Sequence, residues 1–283
     1  MAGRLVICPT PIGNLGDMTL RTLEELRDAD AVCAEDTRVT GKLLAHFGIE
    51  KRLERLDEAA ISHQAGRVAE RVAAGETVAF CSDAGMPGVS DPGARLIEAV
   101  RAAGGHVDVL PGASAAVTAY VASGFNNPRF FFGGFFPRKD AERREMLRAL
   151  SSLDAVLMFY ESPRRIVSAL SAVAEAMPKR EVAVCRELTK VHEEVARGPV
   201  SEVLAEFARR DEDSGVKGEI VLVIGPSTQA EEDDRRADAA ASAAGRAAEL
   251  VEAGELTRKE IVRVLRDEFG IPRNEAYDLA VKA

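Results

Sequence analysis

The stretch TVAFCSDAGMPGVSDPGARLIEAV, Thr77 to Val100, decides the fold. Its first seven residues form an apolar run that reads as a buried strand. Two turns rich in Asp and Gly follow, and then the apolar spacing of a helix. Asp91 can cap that helix, with Pro92 in its first turn. Strand, open loop and helix in that order form one unit of an α/β protein.

The same unit recurs on both sides. Residues 4–8, RLVIC, read as a strand that enters the turn PTPIGNLGD, and Leu20, Leu23 and Leu26 follow at helical spacing. DAVCAED, residues 30–36, is a second strand, and residues 62–75 read as a helix stopping at Gly75. VDVLPG, residues 107–112, leads into the helical ASAAVTAYVAS. This alternation predicts a mostly parallel sheet in a first domain over 1–123. RFFFGGFF, AVLMFYES, EVAVCREL and GEIVLVIG supply strands for a second α/β domain over 124–226. The polar stretch STQAEEDDRRADAAASA reads as a linker running into a helix. A helical module over 237–283 closes the chain. Within it, Gly270 ends one helix and Pro272 starts the next, a helix-turn-helix-like pair of balanced charge.

Bulk properties narrow the function classes. In 283 residues there are 37 Lys and Arg against 46 Asp and Glu, a net charge of -9. An acidic chain binds RNA only through a local basic patch. No apolar run approaches the roughly 20 residues of a membrane span, and the first residues do not open a signal peptide. A soluble, cytoplasmic protein without a membrane partner is expected. The four cysteines form no CxxC pair and read as reduced core thiols; the four histidines show no HExxH spacing, so no metal is expected. A GxxxxGK[ST] phosphate loop is absent, as are a GxGxxG after the first strand and a GxSxG elbow.

Candidate chemistry collects where strands end, because ligands of open parallel sheets gather at the carboxyl edge. Three loops there, PTPIGNLG, SDAGMPGVSDPG and PGAS, combine Pro or Gly with small polar residues and let a ligand approach the main chain. Asp83 and Asp91 can accept hydrogen bonds, and Ser114 can cap a helix or touch a ligand. AEDTR, Ala34 to Arg38, places Glu35, Asp36 and Arg38 at a strand terminus. In RFFFGGFFPRKDAERREMLR, residues 129–148, basic side chains stand beside aromatics, a pattern suited to phosphate contact and base stacking, although the Phe can equally be core. FYESPRR, Phe159 to Arg165, offers Glu161 as a base and Arg164 and Arg165 to phosphate.

Taken in order, PTPIGNLGDMTLRTLEEL, AEDTRVTGKLL, SDAGMPGVSDPG, VLPGASA, GFFPRK, FYESPRR and GEIVLVIG resemble the tetrapyrrole-methylase superfamily of S-adenosylmethionine-dependent methyltransferases. The similarity is to its ribosomal RNA branch, small subunit methyltransferase I. The resemblance implies a two-domain tetrapyrrole-methylase-like fold with a helix-turn-helix-like appendage, a homodimer, and S-adenosylmethionine as methyl donor. It further implies 2′-O-methylation of a cytidine in the decoding region of 16S rRNA of the small ribosomal subunit. Carried onto this chain, the donor pocket would involve Pro11, Asp83, Met86, Ser114, Ala115, Tyr160, Leu188 and Ile220. The tetrapyrrole branch has a GDPxxYG-like loop where this chain has SDAGMPGVSDPG, which turns the expectation away from a macrocyclic acceptor.

Transfer to a ribose hydroxyl needs alignment and removal of one proton, and the donor is already activated. Asp36, Glu161 and Glu35 are the carboxylate candidates for that proton, with Asp36 or Glu161 expected to serve and Lys190 as a further electrostatic aid. Arg38, Arg138, Lys139 and Arg164 are expected to hold RNA phosphates. Two other readings remain open at this point: methylation of a tetrapyrrole or other small molecule, and an RNA- or ribosome-binding protein without turnover.

Overall fold

The structure, a computed structural model, describes residues 3–283. Five parallel strands form the first sheet: β1 (Arg4–Ile7), β2 (Ala31–Ala34), β3 (Leu53–Arg55), β4 (Thr77–Cys81) and β5 (His106–Val109), in the order β3-β2-β4-β1-β5. β1, β2 and β4 are apolar almost throughout because helices cover both faces of a parallel sheet. Leu5, Ile7, Val78 and Phe80 pack on one side, Val6, Cys8, Ala79 and Cys81 on the other. All four cysteines are buried and free.

Two elements were not legible in the sequence. β3 is three residues long, with a charged pattern typical of a short edge strand. α2 (Thr37–His46) begins directly after β2, where Asp36 accepts the N–H of Arg38 as its cap. The helix read over 62–75 starts earlier, as α3 (Glu58–Ala73), capped by Asp57 on the N–H of Ala60. α1 (Leu20–Asp28), capped by Thr19, and α4 (Gly93–Ala102) lie where the pattern placed them.

The connections from β1 through β3 run toward one edge of the sheet, and the return to β4 leads on to β5 at the other edge. β1 and β4 are neighbours, and the connection leaving each passes the other strand on its way to the next one. Thr10 and Gly85 tie the two loops together through reciprocal backbone hydrogen bonds of 3.0 Å.

The second sheet has the order β6-β7-β10-β8-β9: β6 (Phe130–Phe135), β7 (Val156–Glu161), β8 (Glu181–Arg186), β9 (Glu194–Pro199) and β10 (Ile220–Ile224). Only β6 and β7 are parallel; β10 runs antiparallel to β7 and β8, and β9 antiparallel to β8. Helices α6 (Asp140–Leu150), α7 (Ile166–Ala176) and α8 (Val200–Ser214) pack on one face around Phe136, Phe159, Leu170 and Phe207. On the other face lies α5 (Ala115–Ser123), where Ala119 meets Val156, Met158, Cys185 and Val223. Both sheets belong to one compact unit that includes Asp154–Pro226.

A second unit comprises Ser151–Leu153 and Ser227–Ala283. The stretch read as a linker is instead the start of a 25-residue helix, α9 (Gln229–Ala253). A reciprocal capping box between Thr228 and Glu231 starts it, and its alanines sustain it. α10 (Arg258–Phe269) and α11 (Arg273–Lys282) follow, with Gly270 and Pro272 at the turn as the sequence indicates. Ala243, Ala247, Ile261, Leu265 and Ala276 form their shared core. No helix among the described residues is long and apolar enough to cross a membrane.

Candidate functional site

A cavity of about 440 Å³ lies above the strand ends of both sheets. The first sheet contributes the loop after β4, from Ser82 to Asp91, with Ile12 and Glu35 from its neighbours. Ser114 and Ala115 contribute the start of α5, and the second sheet adds Phe135, Tyr160, Glu161, Leu188 and Ile220.

Of the eight residues expected around a donor, seven line this cavity: Asp83, Met86, Ser114, Ala115, Tyr160, Leu188 and Ile220. Pro11 does not. It borders a second cavity of about 280 Å³, and Asp83 borders both. Ser114 precedes α5 but makes no capping hydrogen bond, which leaves its hydroxyl to the cavity. Sequence reasoning missed Ser82, Phe135, Gly218 and Glu219. For Ser82 and Phe135 a signal existed, since Ser82 directly follows β4 and Phe135 ends β6, beside residues that were singled out.

The loop after β4 is held open by its own hydrogen bonds. Asp91 Oδ1 accepts the N–H groups of Gly88 at 2.7 Å and Gly93 at 2.8 Å, so it braces the loop and the start of α4 together. Ser90 sits at φ 65°, in the left-handed region that costs a non-glycine residue about 1 kcal/mol or more. Opposite, the loop after β8 carries Glu187 at φ 53° and Thr189 at φ 66° on either side of Leu188. Three contacts keep that conformation. The Lys190 ammonium meets Glu187 at 2.9 Å and Glu219 at 2.6 Å, and the Glu219 N–H donates to Glu187 at 2.9 Å. Gly218, at φ 98°, is required there: a Cβ would stand 2.5 Å from Glu187 Cγ.

The three candidate carboxylates occupy different surroundings. Glu35 lines the cavity; Oε2 accepts the Asp83 N–H at 3.3 Å, and burial raises its carboxyl above the ordinary range, with the charges of Asp83 and Asp91 adding to the rise. Asp36 lies outside the cavity. Its carboxylate caps α2 and pairs with Arg38 at 2.6 Å, and these bonds hold it far below the usual range. Glu161 is 4% exposed and also lines the cavity. Its Oε1 accepts from Ser162 N–H at 2.6 Å and pairs with Arg165 at 2.5 Å, while Oε2 is buried without a partner. Burial raises this carboxyl as well. Ser82 Oγ is a second buried polar atom without a partner on the same cavity. Tyr160 leans its ring on Phe132 and Phe135, and burial raises its phenol despite a hydrogen bond with the Ala116 backbone.

The basic residues divide in two. Arg38, Arg138, Lys139 and Arg164 are exposed, and none lines the cavity. Arg143, counted with them by sequence position, is 2% exposed. It donates to the Pro137 and Arg138 carbonyls and to Ser168 Oγ and stacks over Phe136, so it shapes the loop that presents Arg138 and Lys139. Arg165 likewise turns inward to Glu161. No cluster of metal-ligating side chains occurs among the described residues.

Two α/β sheets with a cavity over their strand ends define the class to which the comparisons lead. Residues 4–204 match the family Tetrapyrrole (Corrin/Porphyrin) Methylases. The chain is 40% identical over 276 residues to Ribosomal RNA small subunit methyltransferase I of Bacillus subtilis, covering 98% of this chain and 93% of that one. It is 40% identical to the protein of the same name from Escherichia coli O157:H7, covering 99% and 95%. Among solved structures, diphthine synthase superposes with a TM-score of 0.61 at 17% identity, covering 82% of this chain and 93% of that one. Cobalt precorrin-4 methyltransferase gives 0.57 at 17%, covering 78% and 94%. The chain belongs to the tetrapyrrole methylases and, within them, to the family of ribosomal RNA small subunit methyltransferase I.

Proposed function

We propose that the protein transfers a methyl group from S-adenosylmethionine to the 2′-oxygen of a cytidine ribose in the decoding region of 16S rRNA. The observation that carries this reading is the 440 Å³ cavity, lined by seven of the eight residues expected for the donor, in a chain 40% identical to rRNA methyltransferases along nearly its whole length. The residues fit that donor. Ser82 Oγ and Glu161 Oε2 are buried and lack hydrogen-bond partners, so they match a ligand that brings its own polar groups. Gly85 and Gly218 leave main chain bare on the cavity wall.

When bound, S-adenosylmethionine supplies a methyl group already activated on a sulfonium sulfur. Ser114, Ala115 and Met86 bind and orient it, and Leu188 and Ile220 exclude water around it. Asp83, at the border with the second cavity, stands at the acceptor side. Glu35 takes the proton from the ribose hydroxyl as its oxygen bonds to the methyl carbon and the sulfur–methyl bond breaks, the sulfur leaving as a neutral thioether. Glu35 is the candidate carboxylate beside Asp83, and burial raises its pKa above the ordinary carboxylate range, which makes it a stronger base than an exposed carboxylate. Glu161, paired with Arg165, shapes the donor chamber, and Asp36 holds α2. Arg138, Lys139, Arg164 and Arg38 contact RNA phosphates around the mouth.

The protein works in the cytoplasm on the small ribosomal subunit, as a homodimer. Val117 and Val121 expose an apolar face of α5, and Phe130, in contact with Tyr120, extends it; that face is the proposed dimer contact.

Labelled S-adenosylmethionine incubated with the protein and small subunits lacking this modification tests the reading. Label on a ribose 2′-oxygen of 16S rRNA is the expected result. Donor binding without label on RNA would refute it.

A further inference from the structure

The second cavity has no assigned role. Its wall includes Pro11, Leu15, Val39, Lys42, Leu43 and Asp83. Three of its properties bear on what it holds. It meets the larger cavity at Asp83, so an occupant stands next to the donor chamber. Its sides are apolar and exposed, with Leu15 40% and Val39 44% exposed. Its one cation, Lys42 on the first turns of α2, has no ion-pair partner among the described residues. A flat, apolar-faced group with acceptor atoms on its edge satisfies all three conditions.

We propose that this cavity receives a single nucleobase of the acceptor RNA, swung out of its stack, with its faces against Leu15 and Val39 and an acceptor atom on Lys42. The inference rests on the RNA-methylation reading and adds to it. Enzymes that do chemistry on a base extrude the target nucleotide and hold the free base in a pocket of its own; the same access argument applies here to a ribose hydroxyl that must reach a recessed donor. Here Asp83 stands between that pocket and the donor chamber, where the ribose between base and methyl would lie. The cavity is also braced from behind. A Cβ on Gly13 would stand 2.5 Å from Lys190 Cγ and 2.8 Å from Thr189 Oγ1, so the loop after β1 packs directly on the strained loop after β8. Holding the base thus depends on the same loop that places Leu188 in the donor chamber.

The test compares wild type, Val39→Trp and Lys42→Ala on unmodified small ribosomal subunits, with donor affinity measured by calorimetry on the same preparations. Val39→Trp fills the cavity from an exposed helix position. The expected result is methylation reduced about a hundredfold in Val39→Trp, as for a misplaced reactant. A loss of about tenfold is expected in Lys42→Ala, from one charged hydrogen bond. Donor affinity should stay within about twofold of wild type in both, which also shows that the variants fold. Wild-type methylation rates in both variants would overturn the base pocket and leave the RNA reading intact. Absence of label from the wild type as well would overturn the RNA reading, and the base pocket with it.

Discussion

Glu35 and Asp83 hold each other across the ends of two neighbouring strands. The Asp83 N–H donates to Glu35 Oε2 at 3.3 Å, and Asp83 Oδ1 accepts the Asp36 N–H at 3.0 Å. Each carboxylate is thus fixed by the other strand's main chain; Glu35 lines the larger cavity, and Asp83 borders both.

If Glu35 is the base, Glu35→Gln lowers kcat by about a hundredfold or more while donor affinity holds. The wild-type rate should fall with acidity as pH drops through a pKa above the usual carboxylate range, because the base must be ionised and burial raises it. A full rate in the Gln variant, measured in single turnovers, would remove Glu35 from the mechanism.

Asp36→Ala separates capping from catalysis. The depressed pKa of Asp36 means that its contribution to stability is present above the ordinary Asp range and is lost as pH falls through the depressed value. The variant should melt at a lower temperature at neutral pH, with the difference shrinking in strong acid. Its transfer rate per folded molecule should match wild type.

Arg165→Ala leaves the Glu161 carboxylate buried without its cation. A loss of about 3 kcal/mol or more in unfolding free energy is expected, as for other broken buried pairs. Because burial already raises the Glu161 pKa, ionising this group opposes folding. Stability of the variant should therefore be greatest below the ordinary Glu pKa and decline as pH rises through the raised one. Denaturant titrations at pH 5 and pH 8 read this directly.

Gly218→Ala forces a Cβ onto Glu187 at a φ that side chains rarely adopt. The loop carrying Leu188 must move, and donor affinity should weaken by about tenfold with little change in RNA binding. Calorimetry against S-adenosylmethionine measures it.

Arg138→Ala and Arg164→Ala should weaken binding to the small subunit without changing donor affinity. Each should make the slope of log affinity against log salt shallower by about one unit if it neutralises one phosphate. An unchanged slope would place that arginine outside the RNA path.

Periodicity made most of the fold legible, and the exceptions have physical causes. β1, β2 and β4 are long enough and apolar enough to read directly, whereas β3 has three residues and a charged pattern that pattern reading passes over. α2 was hidden because Asp36 and Arg38 attract a catalytic reading, although Asp36 serves the helix as its cap. The start of α9 looked like a linker because charge without an apolar stripe resembles disorder, yet Thr228 and Glu231 spelled out a capping box. The strand-end motifs lie at the edge of the sheet where the cavity is found. They did not distinguish Arg143 and Arg165, which turn inward, from Arg138 and Arg164, which stay outside. That distinction depends on packing against Phe136, just after β6, and Glu161, the last residue of β7.

The two cavities differ in how they are built, and that difference bears on how such a protein changes over generations. The larger one is walled to a great extent by small residues and main chain, at Ala84, Gly85, Ala115 and Gly218, whereas the smaller depends on the side chains of Leu15, Val39 and Lys42. Recognition by backbone survives many substitutions; recognition by side chains on a helix surface is rewritten by a few. A few substitutions on α2 and in the loop after β1 would therefore reshape the smaller cavity and leave the larger one as it is.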